Sequence, residues 1–193
     1  TVPSPLYQGR RSFAQQGEDL ILYNLLCHDL QILAPSYLDI GAGDPVLSNN
    51  TYALYLTGSR GVLVEPNPVL VRKLKAVRPG DVVVACGVGL EAATAADYFV
   101  IRGRWPLNTF SREAIAGYRR ESAADPVERV LKMPLIPINR LLEDHFQGAP
   151  DLLSIDIEGL DLEVLRSMDF RAHRPAAICA ETKKPGMSHD ETP

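Results

Sequence analysis

The stretch Ser36-Tyr-Leu-Asp-Ile-Gly-Ala-Gly-Asp44 constrains this chain more than any other. An apolar run stops at a glycine turn, and a segment of helical character follows. A buried strand of a parallel sheet hands over to a helix in this way. A second apolar run, Gly61-Val-Leu-Val64, ends on Glu65, which lies 22 residues beyond Gly43. An acid at that distance, on the tip of the next strand, completes a nucleoside-binding crevice at the carboxyl edge of the sheet. Gly41 and Gly43 are expected to let the backbone approach a ligand closely and to offer free N–H groups. Glu65 is expected to accept hydrogen bonds from both ribose hydroxyls.

The rest of the chain keeps a strand–helix rhythm. Strands are expected over 36–41, 61–65, 81–86, 96–101, 151–157 and 176–181. Ser12 to Asp19 leads into a first helix, with Leu22, Leu25, Leu26 and Leu33 on one face and Glu18 and Asp19 at its positive end. Asn49, Asn50 or Thr51 can cap a helix carrying Tyr52, Leu54, Tyr55 and Leu56. Asn67-Pro68 starts the next helix and Pro79-Gly80 stops it. Gly87 and Gly89 break the third strand, and a simple turn is one reading of them. Leu131 to Ile138 is extended, and Pro134 and Pro137 within it predict an edge. Asn139 is expected to cap a short helix reaching Phe146, and Gly159 to open another with Val164, Leu165 and Met168 facing inward.

This alternation predicts an α/β fold with a doubly wound, mostly parallel sheet. The 193 residues suffice for one core and form a single domain, 1–193. Within it, 1–11 is an N-terminal arm, 102–130 a mobile polar loop and 183–193 a polar tail. A net charge of -4 supplies no general attraction for nucleic acid or an anionic membrane. No apolar run approaches the ~20 residues that span a bilayer, so no membrane span is expected. Cys27, Cys86 and Cys179 are odd in number and widely spaced in apolar sequence. They read as buried free thiols, which favours the cytoplasm.

Gly-Ala-Gly-Asp is not a full G-x-G-x-x-G, because Val46 stands where the third glycine would be. That argues against close packing over a pyrophosphate. A nucleoside-like ligand without phosphates fits better, and S-adenosylmethionine is the obvious one. A nicotinamide-dependent oxidoreductase shares the strand–glycine–helix start. Besides the third glycine, it lacks a Tyr-x-x-x-Lys pair.

Ser12-Phe-Ala-Gln-Gln-Gly-Glu-Asp19, Leu38-Asp-Ile-Gly-Ala-Gly-Asp-Pro45 and Ser48-Asn-Asn-Thr51 come in that order. Gly61-Val-Leu-Val-Glu-Pro-Asn67, Leu153-Ser-Ile-Asp-Ile-Glu-Gly159 and Ile178-Cys-Ala-Glu181 follow them. On this set the chain resembles the FkbM family of S-adenosylmethionine-dependent methyltransferases. The resemblance implies a Rossmann-like class I methyltransferase fold and O-methylation, often of sugars or glycosylated natural products. It also implies that the segment with Gln15 and Gln16 folds over the cofactor. Such domains normally close with a further helix and an antiparallel strand pair, for which this chain leaves only a short polar tail. The fold is therefore expected without that C-terminal pair, and the edge left by the last strand would favour a homodimer.

In this reading Asp39, Gly41 and Gly43 flank the methionine end of the cofactor, with Gln16 and Asn50 nearby. Glu65 and Pro66 lie by its ribose, and Gly87 and Val88 by its adenine. Strand alternation puts Asp156 and Glu158 on one side and Ile155 and Ile157 on the other. Two carboxylates at a central strand tip must face a cleft, since burying unpaired charge is costly. Asp156 can contact the cofactor or take the acceptor's proton, Glu158 can bind a substrate hydroxyl or cap a helix, and Glu181 is a second candidate base. These acids could also hold Mg²⁺ through oxygen ligands, although no metal is favoured. Asn108-Thr-Phe-Ser111 can reach the site or form an ordinary turn, and Trp105 can stack on a sugar or pack in the core. The partner is a small-molecule or carbohydrate acceptor. A methyltransferase-like domain that binds without turnover is the remaining alternative.

Overall fold

The computed structural model describes residues 11–90, 94–121, 124–157 and 159–181. Expectations for residues 1–10, for Glu158 and for the tail from 182 lie outside these residues. Helix α1 (Glu18–Tyr23) runs on into a π-helical turn, Asn24–Asp29. There follow β1 (Tyr37–Ile40), α2 (Tyr52–Leu56), β2 (Gly61–Val64), α3 (Pro68–Val77), β3 (Val82–Val84) and β4 (Gly87–Gly89). Next come β5 (Ala95–Ile101), a 3-10 turn (Trp105–Leu107), α4 (Arg112–Glu121) and β6 (Val127–Pro137). The described chain closes with α5 (Ile138–His145), β7 (Leu152–Ile155), α6 (Asp161–Ser167) and β8 (Ala177–Ala180).

The main sheet has five strands in the order β3-β2-β1-β7-β8, all parallel. Alternation along β1 builds a core on each face. Leu38 and Ile40 join Val62, Val64, Leu153 and Ile155 under α5 and α6. Tyr37, with Leu63 and Leu152, packs against Leu22, Leu26, Leu54 and Leu74 of α1, its π turn, α2 and α3. Helices thus cover both faces, as an α/β fold with a mostly parallel sheet requires, and this is consistent with a Rossmann-like methyltransferase frame. A second, three-stranded sheet, β4-β6-β5, pairs β4 parallel and β5 antiparallel to β6.

Local signals placed most elements, and several expectations need correction. In the first helix Leu22 and Leu26 are buried, but Leu25 reaches the surface and Leu33, beyond the helix, is 72% exposed. The π turn closes i→i+5 bonds, so the 3.6-residue phase carried from Leu22 fails past Tyr23. Gly87-Val-Gly89 is a strand paired to Leu135–Pro137, not a simple turn. Residues 102–130, read as a polar loop, contain the 3-10 turn, α4 and the start of β6. Ser111 Oγ accepts from Ala114 N at 3.1 Å to cap α4, while Ala114 and Ile115 are buried. Finally, β6 is the middle strand of its sheet rather than an edge. Its prolines are tolerated because β6 changes partner there: Pro134 ends the pairing with β5, Leu135 begins that with β4, and Pro137 closes it.

Caps divide likewise. Asn67 Oδ1 accepts from Val69 N at 2.9 Å, as Asn67-Pro68 predicts. Asn49 Oδ1 accepts from both Thr51 N and Tyr52 N at the start of α2. Asn139 is not a cap: it lies inside α5, donates to Ser167 O and accepts from Asp169 N, tying α5 to the end of α6. The three cysteines are free thiols, with Cys86 buried. No helix among the described residues is long and apolar enough to cross a membrane.

Candidate active site

The glycine turn sits at the carboxyl end of β1, with Gly41 at φ 82 and Gly43 at φ 61. A side chain on Gly41 would run into the carbonyl oxygen of Asp156, and one on Gly43 would come within 2.7 Å of the Trp105 ring. Glycine is needed here for backbone shape and for close approach alike. The N–H groups are not free, contrary to expectation. Gly41 N and Ala42 N both donate to Val64 O, and Gly43 N donates to Glu65 Oε2 at 3.0 Å. What the turn offers a ligand is proximity rather than donors.

Glu65 follows β2 directly and is only 3% exposed. Its Oε1 accepts from Asn67 N at 2.7 Å, and the Tyr98 hydroxyl from β5 is a further donor. Burial pushes its pKa up to about 7, against the opposing pull of the Asn67, Gly43 and Tyr98 donors.

Above the turn lies a cleft of about 720 Å³ measured out to solvent. Its floor is Ile40, Gly41, Gly43, Val64, Glu65 and Pro66; Leu70, Cys86, Gly87 and Val88 form one wall. Tyr98, Trp105, Asn108 and Phe110 come over the top from β5 and the 3-10 turn, and Asp156 closes the far side. The lining therefore brings together Gly41, Gly43, Glu65, Pro66, Gly87, Val88 and Asp156 from the residues singled out in the sequence. Gln16, Asp39, Asn50 and Glu181 are not in it, and Gln15 takes the place next to Gln16. Asp39 stays away because alternation along β1 sends it to the α2 face, where Thr51 Oγ1 donates to its Oδ2 at 2.6 Å. Asn50 Nδ2 donates to Ser154 Oγ on the same side. Ser48, also in the lining, holds a left-handed φ of 52.

Asp156 lies just past β7, its N–H donating to Ile40 O at 3.0 Å. No donor among the described residues meets its carboxylate. The local donors go elsewhere: Ile157 N and Gly159 N donate to the two oxygens of Asp161, at the start of α6. Burial, then the charges of Glu181, Asp161, Asp39 and Glu18, push the Asp156 pKa up to about 7. An acid so placed takes up a proton readily near neutral pH. Among the described residues no group of three or more His, Cys, Asp or Glu is placed to hold a metal ion.

Sequence reasoning missed the brace beneath the floor. Arg78 is fully buried. Its Nε donates to Asp81 at 2.8 Å, and its other nitrogens donate to Asn49 Oδ1, Tyr37 OH and Thr51 Oγ1. Asn49 Nδ2 in turn donates to Ala42 O at 2.9 Å, in the middle of the glycine turn. The only signal was an Arg and an Asp three apart around Pro79-Gly80, a pattern shared with ordinary exposed turns.

A strand–glycine turn–helix unit with an acid after β2 and another after β7 is consistent with a nucleoside-binding edge in an α/β enzyme. The family model described as Methyltransferase FkbM domain matches residues 39–192, and the chain belongs to that family. It is an S-adenosylmethionine-dependent methyltransferase. Neither the comparison with curated proteins nor that with solved structures finds a match.

Proposed function

We propose that the cleft binds S-adenosylmethionine and that the enzyme methylates a hydroxyl of a sugar, glycolipid or glycosylated natural product. The frame in this reading is the doubly wound class I methyltransferase sheet. The observation that carries it is the charge of the cleft. Glu65 and Asp156 line it, and no Lys, Arg or His is among the described lining residues. A dinucleotide would bring phosphate charges to a turn whose N–H groups are already spent. S-adenosylmethionine brings a sulfonium and an ammonium, which an acidic cleft attracts. The residues present fit it: Gly41 and Gly43 in the lining, an acid for the ribose, and apolar surface from Leu70, Val88 and Phe110 for the adenine.

The bound cofactor supplies a methyl group on a good leaving group. Asp156 accepts the proton of the acceptor hydroxyl as that oxygen becomes bonded to carbon. A neutral hydroxyl needs such a base, and a carboxylate raised to about 7 is basic enough to serve. Glu181 keeps Asp156 basic through its charge rather than by contact with the cleft. Asp39 acts from below, through Thr51 and the Arg78 brace, by holding the floor. Trp105 and Pro106, also in the lining, are the surface this reading offers to the acceptor.

Calorimetric titration with S-adenosylhomocysteine, with NAD as comparison, tests the cofactor. Selective micromolar binding, roughly 8 kcal/mol, supports the reading. NAD binding in its place would overturn it. Transfer of labelled methyl to a panel of glycosides then tests the acceptor, and labelling of amines or thiols alone would refute the hydroxyl assignment.

A further inference from the structure

We infer that Asn108 and Glu65 form a matched donor–acceptor pair that reads the two ribose hydroxyls of the nucleoside in this cleft. The inference rests on the cofactor reading above and adds to it a specificity residue from outside the main sheet.

Asn108 follows the 3-10 turn, is 8% exposed and lines the cleft. Its Oδ1 accepts from Ile101 N at 2.8 Å, which fixes the plane of the amide. Its Nδ2 is buried and meets no acceptor in bonding geometry among the described residues. The Tyr98 hydroxyl lies close enough to interact with both the amide and the Glu65 carboxylate. Asn108 and Glu65 are therefore both neighbours of one phenol. An amide nitrogen carries two hydrogens, so Tyr98 can engage at most one of them. At least one buried donor is left for a ligand, and native proteins rarely leave such a donor without a partner.

Glu65 offers the complement. A carboxylate has about four acceptor positions. Asn67 N and Gly43 N use one each and the Tyr98 hydroxyl can take a third, which leaves at least one acceptor position for a ligand. A hydroxyl both donates and accepts, whereas a phosphate or carbonyl only accepts. A free acceptor next to a free donor thus suits a diol. One hydroxyl donates to Glu65 while a lone pair of the diol accepts from Asn108.

Asn108→Asp tests this. It keeps an oxygen for Ile101 N and removes the donor. Wild type and variant are titrated with S-adenosylhomocysteine and with its 2′,3′-dideoxy analogue. The new charge acts on both ligands alike, so it cancels in the comparison. The variant is expected to lose about tenfold in affinity for S-adenosylhomocysteine beyond any loss for the dideoxy analogue. Equal losses for the two ligands, or no loss, overturn the inference while leaving the cofactor reading intact. Failure of wild type to bind S-adenosylhomocysteine overturns both. Should the variant not fold, the wild-type protein with labelled side-chain amides gives the answer. The Asn108 amide resonances must move with S-adenosylhomocysteine and stay in place with the dideoxy analogue; movement with both or with neither counts against it.

Discussion

Two tips of one sheet carry acids that burial pushes up to about 7, yet they are built in opposite ways. Glu65, after β2, is met by two backbone N–H groups, with the Tyr98 phenol close by. Asp156, after β7, is met by no donor among the described residues, because Asp161 takes the N–H groups at that tip. Its surroundings are other acids. A carboxylate held by donors has its geometry set in advance and suits binding. A carboxylate held by none, among like charges, has its basicity raised and suits proton transfer. In the proposed reading similar shifts in pKa serve two different jobs, and what separates them is where the backbone donors point.

The largest expected effect is at the β7 tip. Asp156→Asn keeps the shape and removes the base, and turnover should fall by about 10²–10⁴-fold with the fold intact. Undiminished methyl transfer to a reactive acceptor would erase the contrast between the tips. The β2 side depends on the brace. Arg78→Met leaves Asp81 buried without its cation, and denaturant unfolding should show a loss of about 3–5 kcal/mol. A loss under 1 kcal/mol would mean that the glycine turn is held by other means. Glu65→Ala should raise the dissociation constant of S-adenosylhomocysteine about 100-fold, close to 3 kcal/mol. Unchanged affinity would remove Glu65 from the site.

The smallest effects are in pH dependence. Turnover should rise with pH through an apparent pKa of about 7, as Asp156 loses its proton. Glu181→Gln removes a charge that raises this pKa, so the profile should move to lower pH. Stability runs the other way. Both acids have folded-state pKa values above the ordinary carboxylate range, so their contribution is full below that range. It is lost as pH rises towards about 7 and then levels off. Glu65→Gln should flatten this fall in the unfolding midpoint, and an unaltered slope would show that Glu65 is not the group responsible.

The main sheet was legible because its signals are local. Gly61-Val-Leu-Val64 followed by Glu65 and the Asn67-Pro68 cap each declare themselves within a few residues. The spacing of Gly41, Gly43 and Glu65 was enough to anticipate one cleft. What could not be read depends on distant partners. Asp39 lies only two residues before Gly41, yet a buried arginine and Thr51, just before α2, claim its face of the strand. The π turn after Tyr23 shifts the helical phase with no Gly or Pro to mark it. Trp105 and Asn108 join the cleft lining because the chain after β5 turns back on it, Thr109 bridging to Phe99 and Asn108 accepting from Ile101 N. Helix α4 was missed because its charged residues outweighed the short apolar set Ala114, Ile115 and Tyr118, although Ser111 was a usable start signal.

The division of labour between the two tips is tested most directly by titrating wild type, Glu65→Ala and Asp156→Asn with S-adenosylhomocysteine side by side. The account predicts that Glu65→Ala loses about 100-fold in affinity while Asp156→Asn stays within about threefold of wild type. Equal losses in the two variants, or a larger loss in Asp156→Asn, would contradict it.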